Sequence, residues 1–248
     1  MNSKSRTVVI FDTPGKDHKT WSHHVLRMLY SLHYKGIPYS IEGIQYPDIV
    51  STFAPTTLEP KDDPLEPYEI PVLEIQTKSG ATQYYMEPLK IIQALEEIKP
   101  EPSLLANSPR SLEFRSRFGP AIRPIVQTTV GRVPDILPER SVESFFQKRK
   151  ARWGKSVEQW VEEHPSSEAL AIAEPRLKEL GDWIEETPGP FVNGDKPGYV
   201  DFTLAGNLGF VKAVGLTDVF EAVLGMHPAI RRLHDAVGQT QLGNVHWL

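Results

Sequence analysis

The stretch that decides the fold runs Glu69-Ile70-Pro71-Val72-Leu73-Glu74-Ile75 and resumes, after a turn at Gly80, as Tyr84-Tyr85-Met86-Glu87-Pro88-Leu89-Lys90-Ile91-Ile92. A β-branched run opens on Ile-Pro, turns, returns as a second strand and breaks into an amphipathic helix. Proline donates no ladder hydrogen bond, so Pro71 belongs at a strand's entry, where a cis bond is a common use. Such an entry leaves the backbone of Ile70 free to pair with an extended peptide. The helix that starts after Met86 presents unpaired N–H groups to an anion. A peptide-binding edge would then lie beside a carboxylate-binding helix end.

Upstream, Thr7 to Phe11 is apolar and β-branched and predicts a strand. Ser22 to Tyr34 carries Val25, Met28, Leu29 and Leu32 at helical spacing, with Gly36 as a natural stop. Tyr39 to Gln45 predicts a second strand, parallel to the first because a helix lies between them. Pro55 to Pro71 holds five prolines among acidic residues and predicts a long irregular loop of a kind that is often functional. Val72–Thr77 and Thr82–Tyr85 predict a hairpin, and Pro88–Ile98 a closing helix. Lys99-Pro100-Glu101-Pro102 is the expected linker. Beyond it the pattern is helical, at about 109–130, 141–163, 168–187, 201–214, 218–225 and 228–237, punctuated by Pro and Gly. The fold class is α/β followed by all-α: a thioredoxin-like βαβ-ββα domain over residues 1–98 and an all-helical domain over residues 103–248.

These segments, with Trp21-Ser22, Tyr34-Lys35-Gly36-Ile37-Pro38-Tyr39, Tyr46-Pro47-Asp48-Ile49, Pro190-Phe191-Val192-Asn193-Gly194-Asp195 and Tyr199-Val200-Asp201-Phe202, resemble in order and spacing the fungal, etherase-like branch of the glutathione transferases. The resemblance covers nearly the whole chain. It implies glutathione as co-substrate, a small hydrophobic molecule as acceptor, a homodimer, and xenobiotic or secondary metabolism.

The resembled motif carries its catalytic serine where this chain has Ser22. A hydroxyl at the first turn of a helix can donate to a thiolate, and the helix dipole favours the anion. The same residue also reads as an ordinary N-cap. His23 and His24 stand where that branch has Pro and Asn. Two imidazoles at a helix start read as a base or thiolate donor, or as surface histidines, and the helix dipole is expected to lower their pKa and favour the neutral form. Adjacent helical residues diverge, so one of them, with His24 preferred, is expected in the site. The resemblance assigns Ile70 and Pro71 to the cysteinyl edge and Glu87 to the γ-glutamyl end. Pro88 departs from it: it replaces a Ser whose hydroxyl and N–H both grip the γ-glutamyl carboxylate, and Pro supplies neither. Lys90 is the residue expected to offset that loss. Asp201 reads as a helix cap. Trp153, Trp160 and Arg123 read either as a roof over the acceptor or as core aromatics and a surface charge.

Composition sets limits. The chain has 248 residues, 40% hydrophobic and 24% charged, with a net charge of −5. That describes a soluble globular protein and argues against general nucleic-acid binding. The basic run Lys148-Arg149-Lys150-Ala151-Arg152 reads as a solvated helix face. No run is long enough to span a membrane, and the apolar stretch after Arg6 is too short for a signal-peptide core, so a cytoplasmic location is expected. The chain has no Cys, which excludes disulfides and a Cys nucleophile. No standard metal motif is present. The expected function is conjugation, or glutathione-dependent ether cleavage or isomerisation, of a hydrophobic electrophile. The alternatives are a lyase or isomerase of the same fold that does without ordinary glutathione use, with His23 or His24 titrating near neutral pH as acid/base, and a non-catalytic ligand carrier.

Overall fold

The computed structural model describes residues 7–77 and 80–239. The outer ends of the two expected domains, and residues 78–79 in the hairpin turn, lie outside the described residues. Strands β1 (Thr7–Asp12), β2 (Ser40–Gly43), β3 (Val72–Gln76) and β4 (Thr82–Tyr85) form one mixed sheet in the order β2-β1-β3-β4. β1 and β2 are parallel, with Ile10 opposite Ile41, and helix α1 (His23–Tyr34) makes the crossover. β3 runs antiparallel to β1 and to β4, with Leu73 opposite Ile10 and Tyr85. A 3₁₀ turn at Tyr46–Asp48 leads into the short helix α2 (Ile49–Phe53), which the sequence pattern does not predict. Helix α3 (Pro88–Ile98) closes the thioredoxin-like half with the bounds expected of it.

Period-two alternation decides what covers each face of the sheet. Val8 and Ile10 of β1 and Leu73 and Ile75 of β3 join α1 and α3 in one core. Val9 and Phe11 turn to the other face and pack with Val72, Ile49, Phe53, Leu58, Tyr68 and Met86. The proline-rich loop is therefore not a loose excursion: its Leu58 and Tyr68 are the lid of that second core. Lys61 pairs with Glu69 within it at 2.7 Å, and Arg152 reaches across to its Asp63 and Glu66 at 2.7 and 2.8 Å.

The remaining helices are α4 (Pro109–Thr129), α5 (Val133–Ile136), α6 (Glu139–Trp153), α7 (Val157–Glu163), α8 (Ser166–Glu185), α9 (Tyr199–Ala213), α10 (Thr217–Gly225) and α11 (Pro228–Gln239). The single helix expected at 141–163 is two, because Gly154 adopts φ +67° and ends α6, after which Ser156 and Gln159 form a capping box that starts α7. The core is continuous between the two halves. α1 packs on α9, and Gly206 permits the approach: a Cβ there would lie 3.1 Å from His23 O and 3.3 Å from Arg27 N. Asp201, fully buried, accepts from Val192 N at 2.9 Å and Gly198 N at 2.7 Å, so its role at the start of α9 is structural.

The connecting segment is fastened from inside. Lys35, with no exposed surface, extends from the end of α1 and donates to Glu96 at 3.1 Å and to the carbonyls of Pro102 at 2.9 Å and Pro100 at 3.4 Å. A buried ammonium with three acceptors is satisfied, but stripping it away leaves the carbonyls without donors. We expect Lys35→Met, which keeps the apolar stem, to lower unfolding free energy by about 2–4 kcal/mol in urea denaturation. An unchanged midpoint and slope would contradict this account of the linker.

Candidate active site

One cleft of about 360 Å³ gathers most of the residues singled out in the sequence: Ser22, His23, His24, Ile70, Pro71, Glu87 and Pro88 all line it. Each arrives there by a local device. The β1–α1 loop is pinned by Trp21 Nε1 donating to Thr13 O at 2.8 Å, by Thr20 Oγ1 donating to Asp12 Oδ2 at 2.6 Å, and by Lys16 N reaching Ile136 O at 2.7 Å in the helical half. Ser22 follows as the N-cap of α1. Its backbone is extended and its carbonyl takes the first helical bond from Leu26 N, but its side chain makes no capping hydrogen bond. The hydroxyl and the first-turn amides of α1 therefore remain available to an incoming anion.

The Ile70–Pro71 peptide is cis. Among the described residues no hydrogen bond joins the Ile70 backbone to the rest of the chain. Its amide and carbonyl form an unpaired edge on the cleft. Beyond it, Glu87 sits at φ 70° and ψ 130° as the N-cap of α3. A non-glycine residue in that region is strained, and such strain is held only where the surroundings over-determine it. Pro88 is the first residue of α3, so Leu89 N and Lys90 N are the free amides of that turn. Lys90 does not line the cleft. Its Nζ pairs with Glu87 Oε1 at 2.7 Å, with both side chains largely exposed. An ion pair of that kind is weak and exchangeable.

Both histidines line the cleft, not one, as helical geometry alone suggested. Their rings contact each other with centroids 3.8 Å apart, and His23 also stacks on Phe210 at 5.1 Å. Burial, and then the charge of Arg27, pushes His23 down to about 3. Burial also holds His24 well below 6.5, with His23, Arg27 and Lys61 adding to it. The His24 ring is accessible to solvent yet recessed in the cleft, and the firmest reason for its neutral form is geometric. Arg27 Nη2 lies 2.6 Å from His24 Nδ1, so Nδ1 accepts and Nε2 carries the proton. Both imidazoles are thus neutral, and the ionisation near neutral pH attached to the lyase or isomerase alternative is not theirs. Arg27 itself is buried and makes no ion pair among the described residues, and its Nε has no partner.

Of the two readings of Trp153, Trp160 and Arg123, the roof over the acceptor is not the one seen. Trp153 and Trp160 stack on each other at 3.9 Å and Arg123 is exposed on α4, and none of the three lines the cleft. Phe145, Phe210, Trp21, Tyr46, Val126 and Val133 do, together with Lys148 and Arg149. The basic run is not a solvated face: two of its members reach the cleft, and a third, Arg152, is spent on Asp63 and Glu66. The i, i+3, i+4 relation of Phe145, Lys148 and Arg149 on one helix face was the signal available.

Asp12, at the end of β1, is buried with one carboxyl oxygen unpartnered, and burial raises its pKa from 3.8 to about 6 against hydrogen bonds from Thr20 and Thr13. A carboxyl raised in the folded state binds more protons than in the unfolded chain, so stability falls as pH rises between about 4 and 6. We expect Asp12→Asn to be more stable than the parent at pH 7–8, by on the order of 2 kcal/mol, with the difference vanishing below pH 4. Denaturation at a series of pH values reads it directly, and a variant less stable at neutral pH would overturn it.

Residues 113–228 match the family described as glutathione S-transferase, C-terminal domain. The glutathione S-transferase-like protein ustS of Aspergillus flavus is 28% identical over 79% of this chain and 75% of its own length. Two solved structures cover most of the fold. Glutathione transferase GSTFuA2 of Phanerochaete chrysosporium superimposes with a TM-score of 0.78 at 22% identity, over 95% of this chain and 98% of its own. A glutathione S-transferase of Ceriporiopsis subvermispora in complex with glutathione gives 0.76 at 23% identity, over 93% and 98%. The sheet, the helical half and their order are those of these structures, and the chain has the glutathione S-transferase fold.

Proposed function

We propose that this protein is a glutathione-dependent enzyme that acts on a hydrophobic electrophile, by conjugation or by glutathione-dependent ether cleavage or isomerisation, in xenobiotic or secondary metabolism. The observation that carries the reading is convergence. The uncapped Ser22 hydroxyl, the unpaired Ile70 edge and the Glu87–Pro88 helix start face one cleft whose volume lies within the range of about 300–1,000 Å³ usual for small-ligand sites. The residues present fit a tripeptide with a carboxylate and an ammonium at one end and a thiol in the middle.

Bound glutathione supplies the thiol nucleophile. The chain's own groups do the rest. The Ile70 amide and carbonyl hold an extended backbone. The Glu87 carboxylate accepts from an ammonium, and the Leu89 and Lys90 amides face a carboxylate where Pro88 has no N–H to give. Ser22 Oγ donates to the sulfur at the start of α1, where the helix dipole already favours an anion. His24, neutral with its proton on Nε2, is a second donor, its one lone pair on Nδ1 being held by Arg27. The aromatic wall of the helical half excludes water from the acceptor. Homodimerisation, a cytoplasmic location, and a functional division at residues 98 and 103 belong to the same reading. Leu89 on α3 and Leu112 on α4, each about half exposed, are apolar side chains that a dimer would cover.

A second reading has one observation in its favour: two neutral histidines share the cleft with a helix start weakened by Pro88. It is a lyase or isomerase of the same fold that runs proton transfer without glutathione. Calorimetric titration with glutathione separates the two. Saturable binding of one tripeptide per chain supports the first, and no heat with undiminished turnover supports the second.

Ser22→Ala is expected to lower kcat/KM by about 10²-fold and to raise the kinetic pKa of the bound thiol. An unchanged rate and pH profile would assign the donor to His24 or an amide. Restoring a hydroxyl and an N–H with Pro88→Ser should tighten glutathione about tenfold. A folded variant with no gain would mean that the end of the cleft serves another group.

A further inference from the structure

We propose that Lys148 and Arg149 form an anion subsite in the helical wall of the cleft, so that the acceptor taken there is an aromatic compound carrying a carboxylate or a group of like charge. This rests on the glutathione reading of the same cleft and names the half of the substrate that the tripeptide does not supply.

The two cations differ from the arginines on either side of them. On α6, Arg140 is bidentate to Asp48 and Arg152 binds both Asp63 and Glu66. Lys148 and Arg149 lie between them in sequence, line the cleft, and have no ion-pair partner among the described residues. Both are half-buried. Burial lowers the Lys148 pKa, and Glu66, already engaged by Arg152, offsets this only in part. Arg149 Nε is buried with no hydrogen-bond partner. Aromatic faces hold the pair in place: the Arg149 guanidinium lies 5.2 Å from the Phe145 centroid and 5.4 Å from that of Trp153, and Lys148 Nζ lies 5.8 Å from the Tyr46 ring. Ring faces attract a cation but accept no directed N–H bond of carboxylate strength.

Half-buried donors without acceptors disfavour the empty site and reward an anion that completes them. A guanidinium fork beside an ammonium suits a carboxylate. Glu66 lines the same cleft but is held by Arg152, and Phe145 and Phe210 supply apolar faces, so an anion carried on an aromatic frame uses both. Tyr46, pushed up to about 12 chiefly by burial, stays protonated throughout and adds no competing negative charge.

The test is equilibrium binding of 2-naphthoate and its neutral isostere 2-naphthamide to the full chain, with and without S-methylglutathione in the tripeptide site. We expect naphthoate to bind about tenfold more tightly, and the preference to collapse to about twofold in Lys148→Met/Arg149→Met while glutathione affinity stays within about twofold of the parent. Should the double variant not fold, as circular dichroism would reveal, Lys148→Met alone should remove a large part of the preference. Equal binding of the two probes overturns the proposal, and so does a preference that survives the variants. If naphthoate is displaced by S-methylglutathione and the variants lose glutathione affinity instead, the cations serve the tripeptide's own carboxylate and the proposal fails while the parent reading stands. If glutathione does not bind at all but naphthoate selectivity behaves as expected, the anion subsite stands and the parent reading fails.

Discussion

Helix α1 is packed from two sides, by the sheet and α3 in one half of the molecule and by α9 in the other, and the position of its first turn follows from that confinement. Val25, Met28, Leu29 and Leu32 belong to the same core as Leu204 and Leu208. Gly206 brings α9 close enough that any side chain there would press on the backbone of His23 and Arg27. Lys35 then anchors the far end of the helix to the connecting segment. A helix held at both ends and on both sides presents its N-terminus without freedom to shift. A site built on such an element is more exact than one built on a loop. Ser22 and the two histidines inherit that rigidity.

The charge distribution in the cleft is the second constraint. Arg27, Lys148 and Arg149 bring three cations to or near one cavity without an ion-pair partner among the described residues. Glu66, Glu69 and Glu87 line the same cleft, but each is paired with a cation of its own, Arg152, Lys61 and Lys90 in turn. Buried or half-buried cations disfavour protonation of nearby imidazoles and favour thiolates and carboxylates. Burial first, and Arg27 after it, account for the neutral histidines, while Lys148 and Arg149 are the cations left to meet an anion. Asp12 answers to the opposite rule, its carboxyl raised because burial outweighs the hydrogen bonds from Thr20 and Thr13.

Much of the fold could be read in the sequence because its signals were local. Pro88–Ile98 was bounded by a proline at one end and a Lys-Pro pair at the other, and the hairpin by Gly80 with β-branched flanks. The helix break at Gly154 was harder to place, since glycine inside a helical pattern is tolerated at modest cost, and its left-handed φ becomes evident only with the backbone. The short helix at Ile49–Phe53 carries too few residues to show a period. For the site, the chain order of Ser22, Ile70 and Glu87 was legible through resemblance, and the structure brings them to one cleft. The electrostatics were not legible. Whether Arg149 faces solvent or a cavity depends on which face of α6 packs on the 3₁₀ turn at Tyr46–Asp48, a long-range contact invisible to composition. The histidine tautomer depends on Arg27 one turn away, and its effect required the side chains to be placed.

The central claim is that the start of α1 stabilises a thiolate on bound glutathione. The most direct measurement is spectroscopic titration of the thiolate absorbance of glutathione bound to the parent protein, read against the free tripeptide. The account predicts a thiol pKa lowered from about 8.5 to near or below 7. Bound glutathione that ionises at the same pH as the free thiol would contradict it.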